Sequence, residues 1–335
     1  MSPLVSILTP VYKGEHFISN AIESVLAQTY PNFELLIVND GSPDESADVI
    51  RPYLVDPRIR YFEQPNAGVA AARNCALAHA SGKYVGFLDQ DDLWLKDKLA
   101  FQVEFMEAHP DVALVHTFQE YVDESGGEVD TDFINVEPVS GNCFPQLFEK
   151  NRIAVLTVLV RRAAILEVGG LNSHAARADD YELWLQISLR YPIGFLDKVV
   201  ARYRVHNANA SHDAMQMTEA ELIVINSILS QRELVESQVG RAVIRKRLAE
   251  LHRELGEWQM WKKRNYIQAR RHFTAAAYND PFSIDRWRSL LWCSFTPSQR
   301  TALSWWGAKL HSRFPLFVKC GGATHNDAPG QDRRP

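Results

Sequence analysis

Three carboxylates stand within four positions of FLDQDDLW, residues 87–94: Asp89, Asp91 and Asp92. Like charges this close repel, so stability alone gives little reason to group them. Clustered hard oxygen ligands suit Mg2+ or Mn2+, and Mg2+ usually takes one or two carboxylates plus the phosphates of a substrate. The D-x-D spacing of Asp89 and Asp91, with Asp92 as a further ligand or sugar contact, points to a divalent cation joined by a diphosphate. A solvated acidic loop is the bland alternative. Two more polar clusters, Thr9 to Tyr12 and Asn39 to Ser42, also follow apolar runs.

Elements that would carry these residues are legible in the pattern. VSILTPV (5–11), FELLIVND (33–40), KYVGFLD (83–89), VALVH (112–116), VLTVLV (155–160) and VVARYRVH (199–206) are short, apolar and rich in β-branched residues, as buried strands are. Between them lie helical stretches after Gly14, over 67–80, over 95–109 and over DDYELWLQISLR (179–190), while 117–150 reads as irregular. Strands alternating with helices predict an α/β fold with a mainly parallel sheet covered on both faces. In such sheets ligands bind beyond the carboxyl ends of the strands, where all three polar clusters fall. No GxGxxG or GxxxxGK[ST] sequence occurs, so dinucleotide and P-loop cradles are unsupported.

The chain has 335 residues, enough for two domains, and 46% of them are apolar, as a core-forming protein requires. Cys75, Cys143, Cys293 and Cys320 lack metal-binding or disulfide spacing and fit a reducing compartment. A first strand near Val5 leaves no room for a signal peptide, and no apolar run is long enough to span a bilayer. The expected location is cytoplasmic. Residues 241–319 hold 16 Lys and Arg against 5 Asp and Glu, whereas residues 1–240 hold 18 against 34. An acidic front and a basic back imply different partners. No nucleic-acid-binding motif accompanies the basic part, so nucleic acid is not an expected partner.

VSILTPVYKGEHFISNAIESVLAQTYPNFELLIVNDGSPDES, NAGVAAARNCALAHASGKYVGFLDQDDLW, ADDYELWLQI and YRVHNANAS occur in this order, and together they resemble the family 2 glycosyltransferases over residues 4–212. The resemblance implies a GT-A fold, Rossmann-like, with a nucleotide-sugar donor. It implies that Pro10, Tyr12 and Asp40 enclose the nucleotide base, that Arg73 is a basic donor-site residue, and that Asp89 and Asp92 serve the donor. Asp89, Asp91 and His206 would hold Mg2+ or Mn2+. Asp180 matches the catalytic base of inverting members, and Asp179 and Asp180 also read as a helix start, where the macrodipole favours carboxylates. Three positions depart from the pattern: Asn39 stands where many members have Asp, Asp179 where Glu is common, and Gln186 where LWLR-type members carry arginine. No role is transferred to Gln186.

The implied reaction is an inverting transfer of a sugar, UDP-hexose being the favoured donor, to a hydroxyl of a glycan or lipid-linked acceptor in surface polysaccharide assembly. A sugar nucleotidyltransferase is the enzymatic alternative, but GEHFISN lacks its Gly-rich basic loop. A non-catalytic sugar-binding module is the other, and Asp180 in ADDYELW argues against it. The organisation expected is a GT-A catalytic domain over 1–214, a basic helical accessory region over 215–319 and a disordered tail over 320–335. Ile244, Leu248, Leu251, Leu255 and Trp258 form a helical stripe in the accessory region. Farther on, Trp292, Trp305, Trp306 and Phe317 are mixed with Arg300, Lys309, Arg313 and Lys319. Aromatics with cations suit the headgroup layer of an anionic membrane, which places the protein peripherally on the inner face of the plasma membrane. Packing of those tryptophans on the catalytic domain, or at a homodimer contact, is the alternative.

Overall fold

The structure is a computed structural model, and it describes residues 2–129, 137–175, 177–206, 209 and 213–294. Eight strands form one sheet in the order β3-β2-β1-β4-β7-β6-β8-β5. They are β1 (Val5–Val11), β2 (Phe33–Asn39), β3 (Ile59–Glu63), β4 (Tyr84–Phe87), β5 (Leu93–Trp94), β6 (Leu114–Val122), β7 (Leu159–Arg161) and β8 (Ile193–Arg204). β3, β2, β1 and β4 are parallel neighbours, and β6 pairs parallel with β8. β7 is antiparallel to both β4 and β6, and β5 is antiparallel to β8, so the sheet is mixed.

Every residue of β1 and β2 is buried. Successive residues serve opposite faces: Ile7, Leu35 and Ile37 join one apolar cluster with helices α1 (Ile18–Leu26) and α4 (Lys98–Ala108). Leu8, Leu36 and Val38 join the other, with α3 (Val69–His79), α5 (Phe144–Glu149), α6 (Arg162–Glu167) and α7 (Asp179–Ser188). Continuous apolar runs arise here because both faces are covered. A short helix, α2 (Ser46–Ile50), follows β2.

Four local departures from the sequence reading have visible causes. β6 continues to Val122, through residues expected to be irregular, because β8 offers it a partner along that whole length. A register irregularity at 117–119 takes up the mismatch, and β8 consequently begins at Ile193 rather than near 199. VLTVLV splits into a 3-10 turn, Val155–Thr157, and the short β7. Thr157 closes that turn by donating both N–H and Oγ1–H to the Ala154 carbonyl. β3 carries partly exposed and charged residues and so shows no apolar run.

From 214 to 294 the chain is helical: α8 (Ala214–Ile228), α9 (Arg232–Trp261, kinked at Gly240), α10 (Tyr266–Asn279) and α11 (Ile284–Ser294). Asp213 caps α8 by accepting from the Gln216 N–H at 3.1 Å. Val224, Ile225, Ile228, Val235, Ile244 and Leu251 belong to the same apolar cluster as Leu8 and Trp184. Trp292 is packed against Met260, Ala269, Phe273 and Cys293, within the C-terminal helices themselves and not on the catalytic domain. Residues 295–335, with Trp305, Trp306 and the expected tail, lie outside the described residues, as do Asn207 and Ser211. Among the described residues no helix is long and apolar enough to cross a membrane.

Candidate active site

The carboxyl ends of β1, β2 and β4 open into one cleft of about 520 Å3, whose walls include Pro10, Tyr12, Asp40, Arg73, Asp89, Asp91, Asp92 and Asp180. Residues from five separate segments therefore meet. His206 is not among the lining residues, but its Nε2 lies 2.9 Å from Asp91 Oδ2, and its ring stacks on Phe17 with centroids 5.1 Å apart.

Asp40 directly follows β2 and is buried. Its carboxylate accepts from Gln64 Nε2 (2.7 Å), Ala67 N (2.9 Å) and Gly68 N (2.8 Å), which fixes the start of α3. A carboxylate has about four acceptor positions, so room for one further donor remains. The turn behind it needs Gly41, at φ +65°, where an added Cβ would meet the Asn66 nitrogen at 2.8 Å.

Arg73 projects from α3 into the protein, 4% exposed, instead of lying on the helix surface. It donates from Nη2 to Asp89 Oδ1 (2.6 Å) and from Nη1 to Asp179 Oδ2 (2.9 Å). Burial works against its charge, but Asp89, Asp179 and Asp180 hold it charged, well above its ordinary range. Arg73 thus joins the acidic loop to the first turn of α7, where Asp179, Asp180 and Glu182 cluster. Burial, followed by the neighbouring Asp179, pushes the Asp180 carboxyl up to about 7, against the opposing pull of Arg73. A carboxyl in that range is suited to exchange a proton near neutral pH.

Burial and the nearby Asp89 also raise Asp91, while His206 opposes the rise. Asp92 is raised further by burial and by Asp91 and Asp89. Its Oδ1 accepts from the Arg204 N–H at 3.0 Å, so it anchors the loop to β8. Arg204 strengthens that anchor by donating from Nε to the Asp91 carbonyl at 3.0 Å. Among the described residues, no three His, Cys, Asp or Glu side chains are grouped so as to hold an ion.

Sequence reasoning assigned no individual role to two sets of residues. Gln90, the middle of the D-x-D run, pairs its amide with the Tyr12 backbone: Oε1 accepts from Tyr12 N (2.8 Å) and Nε2 donates to Tyr12 O (2.9 Å). Gly14 leaves space for it, because a Cβ there would sit 2.4 Å from Gln90 Oε1. Ser42, Asp44 and Ser46 fasten the loop after β2 to residues 13–15 through Lys13 N, Glu15 N and Gly14 N. Burial would raise Asp44, yet hydrogen bonds from Ser42, Ser46 and the Glu15 N–H bring it down to about 2. Only the S-x-D-x-S spacing in GSPDES signalled this arrangement. Gln186 accepts from Gln231 Nε2 (2.7 Å) and Arg190 Nη1 (3.3 Å), as part of the seam with the C-terminal helices.

Comparison with known proteins agrees with this geometry. The model for glycosyl transferase family 2 matches residues 6–166. The UDP-Glc:alpha-D-GlcNAc-diphosphoundecaprenol beta-1,3-glucosyltransferase WfgD of Escherichia coli is 30% identical over 229 residues, covering 68% of this chain and 87% of WfgD. An uncharacterized glycosyltransferase of Rickettsia felis is 37% identical over 201 residues, 60% of this chain, and this chain spans only 33% of its length. S. aureus TarS 1-349, solved in complex with UDP-GlcNAc, superposes with a TM-score of 0.63 at 18% identity, covering 84% of each chain. The mannosyltransferase PcManGT from Pyrobaculum calidifontis, in complex with GDP-Man and Mn2+, gives 0.59 at 21% identity over 94% of this chain and 82% of its own. Those two likenesses establish the fold. The chain belongs to glycosyl transferase family 2 and has the GT-A fold.

Proposed function

We propose that the chain transfers a hexosyl group from a nucleoside diphosphate donor to a saccharide hydroxyl, with inversion, in the assembly of a surface polysaccharide. The observation that carries this reading is the single cleft in which the strand-end residues and the raised Asp180 carboxyl face one another. Pro10, Tyr12 and Asp40 would enclose the base, Asp40 keeping one acceptor position for a pyrimidine N–H. UDP-hexose is the favoured donor, in keeping with the UDP-sugars named for WfgD and TarS. The acceptor would be a glycan or a lipid-linked saccharide, as it is for WfgD.

With no group of three protein ligands among the described residues, a divalent cation would depend on the donor's phosphates as well as the protein. Asp91 Oδ2 and His206 Nε2 are paired with one another at 2.9 Å and would turn to the cation together. Asp91 and His206, with Asp89 beside them, would hold Mg2+ or Mn2+, and donor phosphates and water would complete the shell. A cation there would supply positive charge against the diphosphate. Arg73 orients Asp89 and Asp179 without spending its own charge on solvent. Asp180 takes the proton from the acceptor hydroxyl, which attacks the anomeric carbon as the nucleoside diphosphate leaves on the opposite face. One displacement inverts the centre.

The reading is tested with a thermal-shift panel of nucleotide sugars, with and without Mn2+, followed by hydrolysis of the best binder. Stabilisation by a UDP-sugar that depends on Mn2+ is expected. Indifference to every nucleotide sugar would defeat it.

A further inference from the structure

A second cavity, of about 380 Å3, adjoins the cleft. Tyr203 lines both, and the turn at 154–157 divides them, with Val155 on the cleft side and Ala154 and Thr157 on the other. Its wall is aromatic, drawn from β6 and β8. The Phe118 and Phe195 rings meet edge-on with centroids 4.9 Å apart, and those of Tyr121 and Tyr203 at 5.8 Å. Gln119 and Arg152 are among the polar side chains that interrupt this wall. Gln119 spends its Nε2 on Tyr121 Oη at 2.9 Å. Gln119 Oε1 and Arg152 Nε are both buried and have no hydrogen-bond partner.

An unsatisfied buried acceptor or donor costs about 1–3 kcal/mol, so one of each in a single wall calls for a cause. A hydroxyl meets both needs, since it donates one proton and accepts through two lone pairs. Flat ring faces beside such groups suit the apolar face of a pyranose, and the volume falls within the range of small-molecule sites. Among the described residues its wall holds no carboxylate, and it does not include Pro10, Asp40 or the acidic loop.

We infer that this cavity is a saccharide subsite for the acceptor, seating the sugar ring that carries or adjoins the attacking hydroxyl, with Gln119 and Arg152 binding its hydroxyls. The acceptor role rests on the transferase reading above, but binding of a saccharide does not. The probes are the methyl glycosides of glucose, galactose and N-acetylglucosamine, observed by saturation-transfer NMR on the full chain. At least one glycoside is expected to receive saturation and to keep it when UDP and Mn2+ are present in excess. Gln119→Leu and Phe118→Ala should lower the transfer at least about five-fold. Gln119→Leu should leave Tm about unchanged, because removal of the unpaired acceptor offsets loss of the Nε2 bond to Tyr121 Oη. A purely structural glutamine would lose Tm instead. Displacement of the glycoside by UDP, no transfer to any probe, or parental transfer in both variants overturns the inference. UDP-sugar binding is measured on the same samples. A parent that binds no donor defeats the transferase reading and the acceptor role with it, whereas donor binding without glycoside transfer overturns this inference alone.

Discussion

Asp180→Asn should make the protein more stable at neutral pH while disabling it. The Asp180 carboxyl stands at about 7 in the folded protein against 3.8 for the unperturbed group. Protons are therefore bound more tightly in the folded state, and ionising the group costs stability. The cost is absent below about pH 4, grows as pH rises and is complete above about 7. Each tenfold gain in proton affinity is worth about 1.4 kcal/mol, so the ceiling is about 4 kcal/mol. Asp180 is only partly buried, and Arg73 loses one of its neighbouring charges in the variant, so a gain of roughly 1–3 kcal/mol is expected. For a chain of this size that corresponds to a rise in Tm of roughly 2–4 °C. The assay is differential scanning fluorimetry of parent and variant from pH 4.5 to 8.5, alongside sugar transfer. The two Tm curves should converge at the acid end and separate progressively toward pH 8. Turnover should fall by about 10²–10⁴-fold, the usual worth of a general base, with donor binding retained. A variant that is destabilised equally at every pH, or that transfers at the parental rate, refutes the reasoning.

Replacing Arg73 by Met leaves the Asp179 carboxylate buried without its partner and should cost about 3–5 kcal/mol, read as a lower denaturation midpoint; Arg73→Lys should recover only part, since one ammonium cannot reproduce the fork to Asp89 and Asp179. Gln90→Leu cuts the tie between the acidic loop and Tyr12 and should raise KM for the donor about ten-fold, with little change in Tm. Asp44→Ala should lose about 1–2 kcal/mol at pH 7, after discounting for solvent screening at this partly exposed turn. Because Asp44 is depressed to about 2 in the folded protein, that loss should shrink as pH falls from 4 toward 2. Co-sedimentation with anionic liposomes should weaken when residues 290–335 are deleted; equal pelleting of both forms would remove the case for a membrane-facing basic region.

Much of the site is legible in the chain alone, because its acids sit where apolar strands stop. Asp40, Asp89 and Asp180 stand out through their neighbours in the chain, and these neighbours also fix where the backbone ends a strand or starts a helix. Arg73 is recognisable as a residue but not as a bridge: its partners lie 16 and 106 positions away, and only the folded chain brings them together. Gln90 escapes notice because an amide that binds backbone leaves no pattern of charge. β3 and the far half of β6 are hidden for a related reason. Both owe their extended form to a neighbouring strand rather than to their own hydrophobicity.

The helix that bears Asp180 is clasped from behind. Trp184 and Leu185 share their apolar cluster with Val224, Ile225, Ile228 and Val235, and the Ser227 hydroxyl donates to Glu182 Oε1 at 2.5 Å. A truncation ending at residue 213 would strip the Ser227 and Gln231 partners from Glu182 and Gln186 and uncover the face of the helix that meets them. The apolar cluster behind this helix therefore reaches past residue 235, beyond the 1–214 limit expected for the catalytic domain.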